Sequence, residues 1–180
     1  EIQAFIRSVA ARYPRLRALI HNASDWLAES ADLDAAETLK RMMQVHVSAP
    51  YQINLGLAPN LERARNSHAD IIHIGDYVSS RGSRKHIAYA ASKAAQDNLT
   101  LSFAARLAPR VKVNSIAPSL IMFNEEDSSV YREKALSKSL MGREGGLNEF
   151  EAAIDYLMSS HFITGRILPL DGGRHLKLAG

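Results

Sequence analysis

Apolar residues follow two patterns along this chain of 180 residues. In one pattern they return every three to four positions, which places them on one face of an α-helix. In the other they form short runs bounded by polar residues, which is typical of strands buried on both faces. The helical pattern predicts helices over residues 1–13, 34–57, 87–107, 130–138 and 149–160. The strand pattern predicts strands over residues 16–21, 70–75, 111–116 and 167–170.

Strands that alternate with long helices favour parallel βαβ units, in which the helices cover the sheet. The pattern therefore predicts a single α/β domain over residues 1–180. Asp34 stands where the helix over residues 34–57 needs an N-cap, and Pro50 is expected to disturb that helix because it lacks a backbone N–H donor. Because the chain begins inside a helical pattern and without Met, we expect further residues before Glu1.

Composition and charge exclude several classes of function. Apolar residues make up 46% and charged residues 23%, which is the balance of a soluble globular protein, and no run approaches the roughly 18 apolar residues of a membrane span. The chain has no cysteine, so it has no disulfide or thiolate chemistry, and we expect a cytoplasmic protein. Its net charge is +3 with scattered basic residues, which disfavours nucleic-acid binding. The histidines lack the spacing of metal ligands, so no metal site is expected.

The run from Tyr89 to Lys93 holds the clearest candidate for catalysis. Residues four apart share one face of a helix, so the phenol and the ammonium can meet at one reaction centre. A nearby cation favours the tyrosinate, and we therefore expect Lys93 to lower the pKa of Tyr89. Such a pair suits an acid that delivers a proton while another group delivers a hydride.

Four short motifs follow one another along the chain. They are Asn22-Ala23, Tyr89-x-x-x-Lys93, Val113-Asn114-x-Ile116-x-Pro118, and Ile163-Thr164-Gly165 followed by Leu170-Asp171-Gly172-Gly173. Each is weak alone, but in this order and at this spacing they resemble the short-chain dehydrogenase/reductase family. The resemblance extends over nearly the whole chain, from Leu16 to Gly173.

The resemblance implies a Rossmann-type doubly wound parallel sheet with helices on both faces. The family has a glycine-rich phosphate loop ahead of the first predicted strand, whereas the first glycine here is Gly56. We therefore expect the N-terminal βαβ portion, with that loop and the residue that distinguishes NADP from NAD, to precede Glu1. The expected cofactor is NADPH. The residues that the resemblance implies for its binding are Asn22, Ala23, Ser24, Tyr89, Lys93, Pro118, Ser119 and Ile121.

The chain departs from the usual family pattern at three positions. Asp76 lies thirteen residues before Tyr89, where most relatives have a serine that polarises a substrate carbonyl. Ser24 replaces the usual glycine, with Trp26 two residues later, and His46 takes a helix position that often holds a catalytic asparagine. The carboxylate, the Asn-Ala-Ser run and the aromatic residue resemble the pteridine reductase branch of the family. Residues 71–73 and 116–120 are most similar to its bacterial dihydromonapterin reductases.

That branch reduces dihydropterins and is usually homotetrameric. The resemblance implies that Tyr89, Lys93 and Asp76 are catalytic, and that Ser24, Trp26, Asp76 and Tyr89 contact the pterin. Hydride would reach the carbon of a ring C=N bond while Tyr89 supplies a proton to the nitrogen, and residues 124–148 would form the substrate loop. Expected substrates are dihydromonapterin and, more weakly, dihydrofolate.

Two other functions fit the same residues. A carbonyl or alcohol reductase would use Ser79, Ser80 or Ser83 as its polarising serine. A non-catalytic cofactor-sensing protein of the same fold is the second alternative, although a sensor has no need of Tyr89 and Lys93. Trp26 and His46 each stay open between a role in the site and ordinary packing.

Overall fold

The computed structural model describes residues 1–30, 34–65 and 68–177. Its centre is a sheet of four parallel strands in the order β1-β2-β3-β4. The strands are β1 (Ala18–His21), β2 (Ala69–Ile74), β3 (Val111–Pro118) and β4 (Ile167–Leu170). The predicted parallel α/β sheet is confirmed. β3 runs two residues further than predicted, because Pro118 still pairs with Leu170.

Six α-helices surround the sheet in the described residues. They are α1 (Ile2–Arg12), α2 (Ala35–Met43), α3 (Ala49–Glu62), α4 (Ile87–Leu107), α5 (Ser129–Leu136) and α6 (Leu147–Ser159). The predicted bounds of α4 and β4 match the structure. The predicted helix over residues 34–57 is divided, and the remaining predicted elements differ from the structure by a few residues at their ends. No helix in this part of the chain is both long and apolar enough to cross a membrane.

The predicted helix over residues 34–57 has a break in the structure. Asp34 caps α2 as expected, with its Oδ1 accepting a hydrogen bond from the backbone N–H of Glu37 at 2.8 Å. A π-helical turn, Gln44–Ser48, then separates α2 from α3. The disturbance thus precedes Pro50, which lies in the first turn of α3, where a missing N–H costs least. α3 itself continues to Glu62, five residues beyond the predicted end.

Apolar side chains cover both faces of the sheet. On one face, residues of α3 and α4 pack on alternate strand residues, including Leu61 and Phe103 against Ile71 and Val113. On the other face, α6 packs on Ile72 and Ile116 through apolar residues such as Leu157. Each fully buried side chain of this size stabilises the fold by about 1.5–3 kcal/mol. Helices on both faces are the arrangement of a doubly wound fold.

Asn114 of the third motif and Gly56 on α3 hold outer parts of the fold in place. The side chain of Asn114 donates to the carbonyl of Ile163 at 3.0 Å and accepts from the N–H of Arg166 at 3.0 Å, which fastens the segment leading into β4. Gly56 lets α1 approach α3, because a Cβ at this position would lie 2.5 Å from Cγ2 of Ile6. Both residues are therefore explained by the fold alone.

A buried ion cluster lies at the amino ends of the strands, opposite the carboxyl edge. Asp70 on β2 pairs with Arg17 and, through Oδ1, with Lys112 Nζ at 2.8 Å. The two cations also donate to α6, Lys112 to the carbonyl of Leu157 at 2.6 Å and Arg17 to that of Met158 at 2.8 Å. The cluster therefore fastens the end of α6 to the sheet.

A chain of polar side chains lies between the apolar core and the carboxyl edge on the α3 and α4 face. Nε2 of His21 contacts Oδ1 of Asn54 at 2.7 Å, and Nδ2 of Asn54 donates to Nε2 of His73 at 3.1 Å. Nδ1 of His73 contacts Oγ1 of Thr100 at 2.8 Å. Burial lowers the pKa of His73 to about 3 and also lowers that of His21, so both rings are neutral.

Candidate active site

The candidate site lies at the carboxyl edge of the sheet, where the ends of parallel strands meet. Asn22, Ala23 and Ser24 follow β1 in an exposed segment, and Asp76 follows β2 after one glycine. Pro118 is the last residue of β3. The predicted site residues therefore come from three neighbouring strand ends and from α4.

Tyr89 and Asp76 are hydrogen-bonded to each other. The phenol of Tyr89, in the first turn of α4, donates to Oδ2 of Asp76 at 2.7 Å. The other oxygen, Oδ1, accepts from the backbone N–H of Val78 at 2.8 Å and caps the short 3₁₀ turn Tyr77–Ser80. This cap fixes the carboxylate beside the phenol.

The pKa of Tyr89 is raised above its ordinary value, in contrast to the expected lowering by Lys93. Burial of the phenol is the largest cause, followed by the charge of Asp76 and the hydrogen bond to it. The ammonium of Lys93 lies 5.7 Å from the centre of the tyrosine ring, too far to outweigh a carboxylate in direct contact. Tyr89 therefore keeps its proton at neutral pH, as a proton donor must.

Lys93 lies almost fully buried, with 2% of its surface exposed. Its ammonium donates to the carbonyl of Ile74, at the end of β2, at 2.8 Å. Desolvation lowers its pKa to about 8, against the opposing charges of Asp76 and Asp97. One N–H of the ammonium is thus used by the protein, and the others suit hydroxyl groups such as those of a ribose.

Asp97 is a member of the site that the sequence did not suggest. Its Oδ1 accepts from the hydroxyl of Ser115 at 3.1 Å, and Ser79 also hydrogen-bonds to it. Burial raises its pKa, against these hydrogen bonds and the charge of Lys93. The available signal was spacing, because Tyr89, Lys93 and Asp97 are each four residues apart on one helix.

The position of Ser79 bears on the carbonyl reductase alternative. Its hydroxyl bonds Asp97, while the Tyr89 phenol bonds Asp76. Ser83 accepts from the backbone N–H groups of Lys85 and His86, and Ser80 donates to the carbonyl of Tyr77. All three loop serines therefore have partners other than the phenol.

Trp26 stacks on His86, with ring centres 4.3 Å apart and planes tilted by 22°. His86 Nδ1 contacts the carbonyl of Leu27 at 3.0 Å, which holds the ring in place. The indole is nevertheless 64% exposed. One face of Trp26 is thus packed, while its exposure leaves room for a flat ligand.

Glu29 supplies the cap of the helix that carries Tyr89. Its carboxylate oxygens accept from the backbone N–H groups of Ile87 and Ala88, each at 2.7 Å. The bond from Ala88 is the largest cause that lowers the pKa of Glu29. Sequence spacing gave no sign of this contact, since Glu29 precedes the helix by 58 residues.

Ser119 and Ile121 lie beyond β3, and both have protein partners. The hydroxyl of Ser119 accepts from Arg174 at 2.8 Å, and the carbonyl of Ile121 accepts from the N–H of Gly146 at 2.7 Å. Ser119 also lines a cavity of about 210 Å³ between residues 135–149 and the turn that follows β4. The predicted substrate loop, residues 124–148, contains α5 and forms one wall of this cavity.

The sequence of this chain is similar to a known family model and to curated proteins. Residues 1–175 match the family model described as enoyl-(acyl carrier protein) reductase. Dihydromonapterin reductases of Klebsiella pneumoniae and of Escherichia coli K12 are each 54% identical to the chain over 176 residues, which is 98% of this chain and 73% of theirs. The chain belongs to the short-chain dehydrogenase/reductase family. The resemblance seen in the sequence motifs is confirmed.

Solved structures of the family agree with the fold. FolM alternative dihydrofolate reductase 1 from Brucella canis, complexed with NADP, has a TM-score of 0.85 at 27% identity over 99% of this chain and 71% of that chain. The Brucella suis protein, also with NADP, has a TM-score of 0.86 at 26% identity over 100% of this chain and 72% of that chain.

Proposed function

We propose that this protein reduces a dihydropterin to the tetrahydro form with NADPH, in the cytoplasm. The observation that carries the proposal is the carboxylate of Asp76, hydrogen-bonded to the phenol of Tyr89 at 2.7 Å. An ionised carboxylate accepts hydrogen bonds and cannot donate them. It therefore repels a carbonyl oxygen and favours N–H groups. A pterin ring presents such groups in one plane.

The cofactor fits the chemistry of the residues at the strand ends. Lys93 offers N–H donors for ribose hydroxyls, and Asn22 and Ala23, which follow β1, are exposed. When bound, the nicotinamide supplies the hydride. We propose NADPH because two solved relatives are complexed with NADP.

The proposed roles of the protein groups follow from their contacts. Tyr89 keeps its proton because its pKa is raised, and it delivers that proton to the ring nitrogen as the carbon receives hydride. Asp76 orients the ring through its N–H groups and holds the phenol in place. Ser24 and Trp26 would contact the pterin, the latter with the face not packed on His86.

Two features support the choice of substrate and assembly. Relatives at 54% identity are dihydromonapterin reductases, so we propose dihydromonapterin as the main substrate and dihydrofolate as a weaker one. We propose that the loop over residues 124–148 closes on the substrate.

We also propose a homotetramer, because α3 and α4 expose the large apolar residues Tyr51, Ile87 and Leu101. Light scattering on purified protein tests the assembly.

The decisive experiment compares substrates and one variant of the full-length protein. Loss of NADPH absorbance with dihydromonapterin, and little with simple ketones, is the expected result. Asp76→Ser is expected to abolish pterin turnover, because serine lacks the ionised carboxylate that accepts hydrogen bonds from the pterin N–H groups. If the wild type prefers ketones and Asp76→Ser keeps that activity, the protein is a carbonyl reductase. Pterin turnover retained by Asp76→Ser would contradict the role proposed for Asp76. Cofactor binding without oxidation of any substrate would indicate a sensor.

A further inference from the structure

His46 lies fully buried beside the candidate site, in the π-helical turn between α2 and α3. Its Nε2 contacts the hydroxyl of Ser24 at 2.9 Å, and its Nδ1 contacts the hydroxyl of Ser92 at 2.8 Å. Its ring meets that of Tyr89 edge-on, with centres 5.4 Å apart and planes at 83°. The imidazole therefore connects the segment after β1 with the helix that carries the phenol.

The partners of His46 determine which nitrogen holds the proton. Ser92 donates to the backbone carbonyl of Tyr89 at 2.7 Å, so its oxygen is left to accept from Nδ1–H. The backbone N–H of Asp25 points at Nε2 from 3.3 Å, and it can only donate. Nε2 is therefore the acceptor, and the Ser24 hydroxyl donates its proton to it.

The charged groups around His46 keep its ring neutral. Burial and the charge of Lys93 lower its pKa to about 4, and the charge of Asp25 and a hydrogen bond to the Met42 carbonyl oppose them less strongly. At neutral pH the ring holds one proton, on Nδ1. It has none to pass toward Ser24.

We propose that His46 is a positioning residue for Tyr89, which withholds the Ser24 proton from the phenol and fixes the first turn of α4 through Ser92. Ser24 lies within hydrogen-bonding range of the phenol, where a free hydroxyl proton would stabilise the tyrosinate. With that proton held by His46, Ser24 presents only acceptor lone pairs. The phenol then stands between two acceptors, Ser24 and Asp76, and keeps its own proton for the substrate. This inference rests on the proposed proton transfer from Tyr89.

Two substitutions separate the two bonds of the imidazole. In His46→Asn, the amide reaches the place of Nδ1 and keeps the Ser92 bond but loses the Ser24 bond. In His46→Gln, the longer amide reaches the place of Nε2 and keeps the Ser24 bond. We expect His46→Asn to lower kcat about 10- to 100-fold with little change in KM, because the freed Ser24 hydroxyl competes for the phenolic oxygen. His46→Gln should keep kcat close to that of the wild type.

Controls distinguish positioning from a structural role. Ser24→Ala combined with His46→Asn should recover part of the lost kcat, because no freed hydroxyl remains. His73→Asn, at another buried neutral histidine, should lower stability without lowering kcat. If His46→Asn and His46→Gln lower kcat equally and Ser24→Ala recovers none of it, His46 is only structural and the proposal fails.

A readout without turnover keeps this inference separate from the proposed function. Nitrogen NMR of the histidine rings in the full-length wild type should show His46 as the neutral Nδ1–H tautomer from pH 8 to about pH 5. An Nε2–H tautomer, or titration near its ordinary pKa of about 6.5, overturns the inference even if pterins are reduced. If dihydropterins are not reduced, the proposed function fails while the tautomer can still be observed.

Discussion

Lys93 and Asp97 lie one helical turn apart on α4, and the charge of each moves the pKa of the other. Burial lowers the pKa of the Lys93 ammonium to about 8, and the carboxylates of Asp76 and Asp97 limit that fall. Burial also raises the pKa of Asp97, and Lys93 opposes it. The charge state of the lysine near neutral pH therefore depends on a carboxylate that does not contact the phenol.

Asp97→Asn is expected to shift the pH dependence of activity. Without the carboxylate, the pKa of Lys93 falls below about 8, so the ammonium loses its proton at lower pH. The alkaline limb of the kcat/KM profile should move to lower pH, with activity at pH 6.5 largely retained. Asp155→Asn, an exposed carboxylate on α6, is the control. An unshifted limb in Asp97→Asn would show that Lys93 does not titrate in this range.

Tyr89→Phe is expected to remove the proton donor while keeping the ring. Loss of a general acid lowers kcat by about 10²- to 10⁴-fold. The phenylalanine ring keeps the edge-on contact with His46 and loses only the hydrogen bond to Asp76, so the melting temperature should fall modestly. Steady-state kinetics and calorimetry measure the two effects, with the exposed Tyr51→Phe as control. Residual turnover within tenfold of wild type would assign the proton to another group.

Acid is expected to destabilise the fold through its buried histidines. The pKa values of His46 and His73 lie at about 4 and about 3 in the folded protein, below the ordinary value of about 6.5 in the unfolded chain. Below pH 6.5 the unfolded chain binds more protons than the folded protein, so the free energy of unfolding decreases as the pH falls. The decrease is up to about 1.4 kcal/mol per pH unit for each ring. Urea unfolding between pH 7.5 and 4.5 measures the slope. His73→Asn should reduce it, and an unchanged slope would contradict the assignment.

Asp70→Asn is expected to destabilise the protein strongly. The substitution leaves the buried Lys112 and the half-buried Arg17 without their counter-charge. Breaking one side of a buried ion pair costs about 3–5 kcal/mol. Urea unfolding measures the loss, and the double variant Asp70→Asn with Lys112→Met should recover part of it. A loss below about 1 kcal/mol would mean that solvent reaches the cluster.

Glu29→Ala is expected to fray the start of α4. The substitution removes the acceptor of two backbone N–H groups, a cap worth about 1 kcal/mol or less at an exposed position. Hydrogen exchange at Ile87 and Ala88 should accelerate, and kcat should fall because Tyr89 lies in the same turn. Because the pKa of Glu29 is lowered in the folded protein, the contribution is present at neutral pH and fades in acid. Unchanged exchange would contradict the capping role.

Sequence patterns predicted the sheet and most helices because their signals are local. The spacing of apolar residues predicted α4 and β4 to the residue, and Asp34 was a recognisable cap. The π-helical turn was missed because Pro50 indicated that the helix is disturbed but not where the disturbance lies or what form it takes. Among the site residues, Asp76 and Tyr89 were predicted by their family spacing. Contacts between residues distant in the chain, such as Trp26 with His86, have no signature in local sequence.

The pKa values of Tyr89 and Lys93 likewise could not be predicted from the sequence. The expectation that Lys93 would lower the pKa of Tyr89 considered one neighbour at helical spacing. Burial of both side chains reverses the balance, and burial depends on how the whole chain packs around α4. A lysine, a tyrosine and two carboxylates can be counted in a sequence, whereas their solvation cannot.

The candidate site takes its groups from separate strand ends: Ser24 follows β1, Asp76 follows β2, and Tyr89 comes from the helix that packs on β3. A refolding intermediate with helices formed but strands unpaired would bring none of these groups together. Return of catalysis after dilution from urea should thus lag behind the recovery of helical circular dichroism, and turnover would serve as a late reporter of strand assembly.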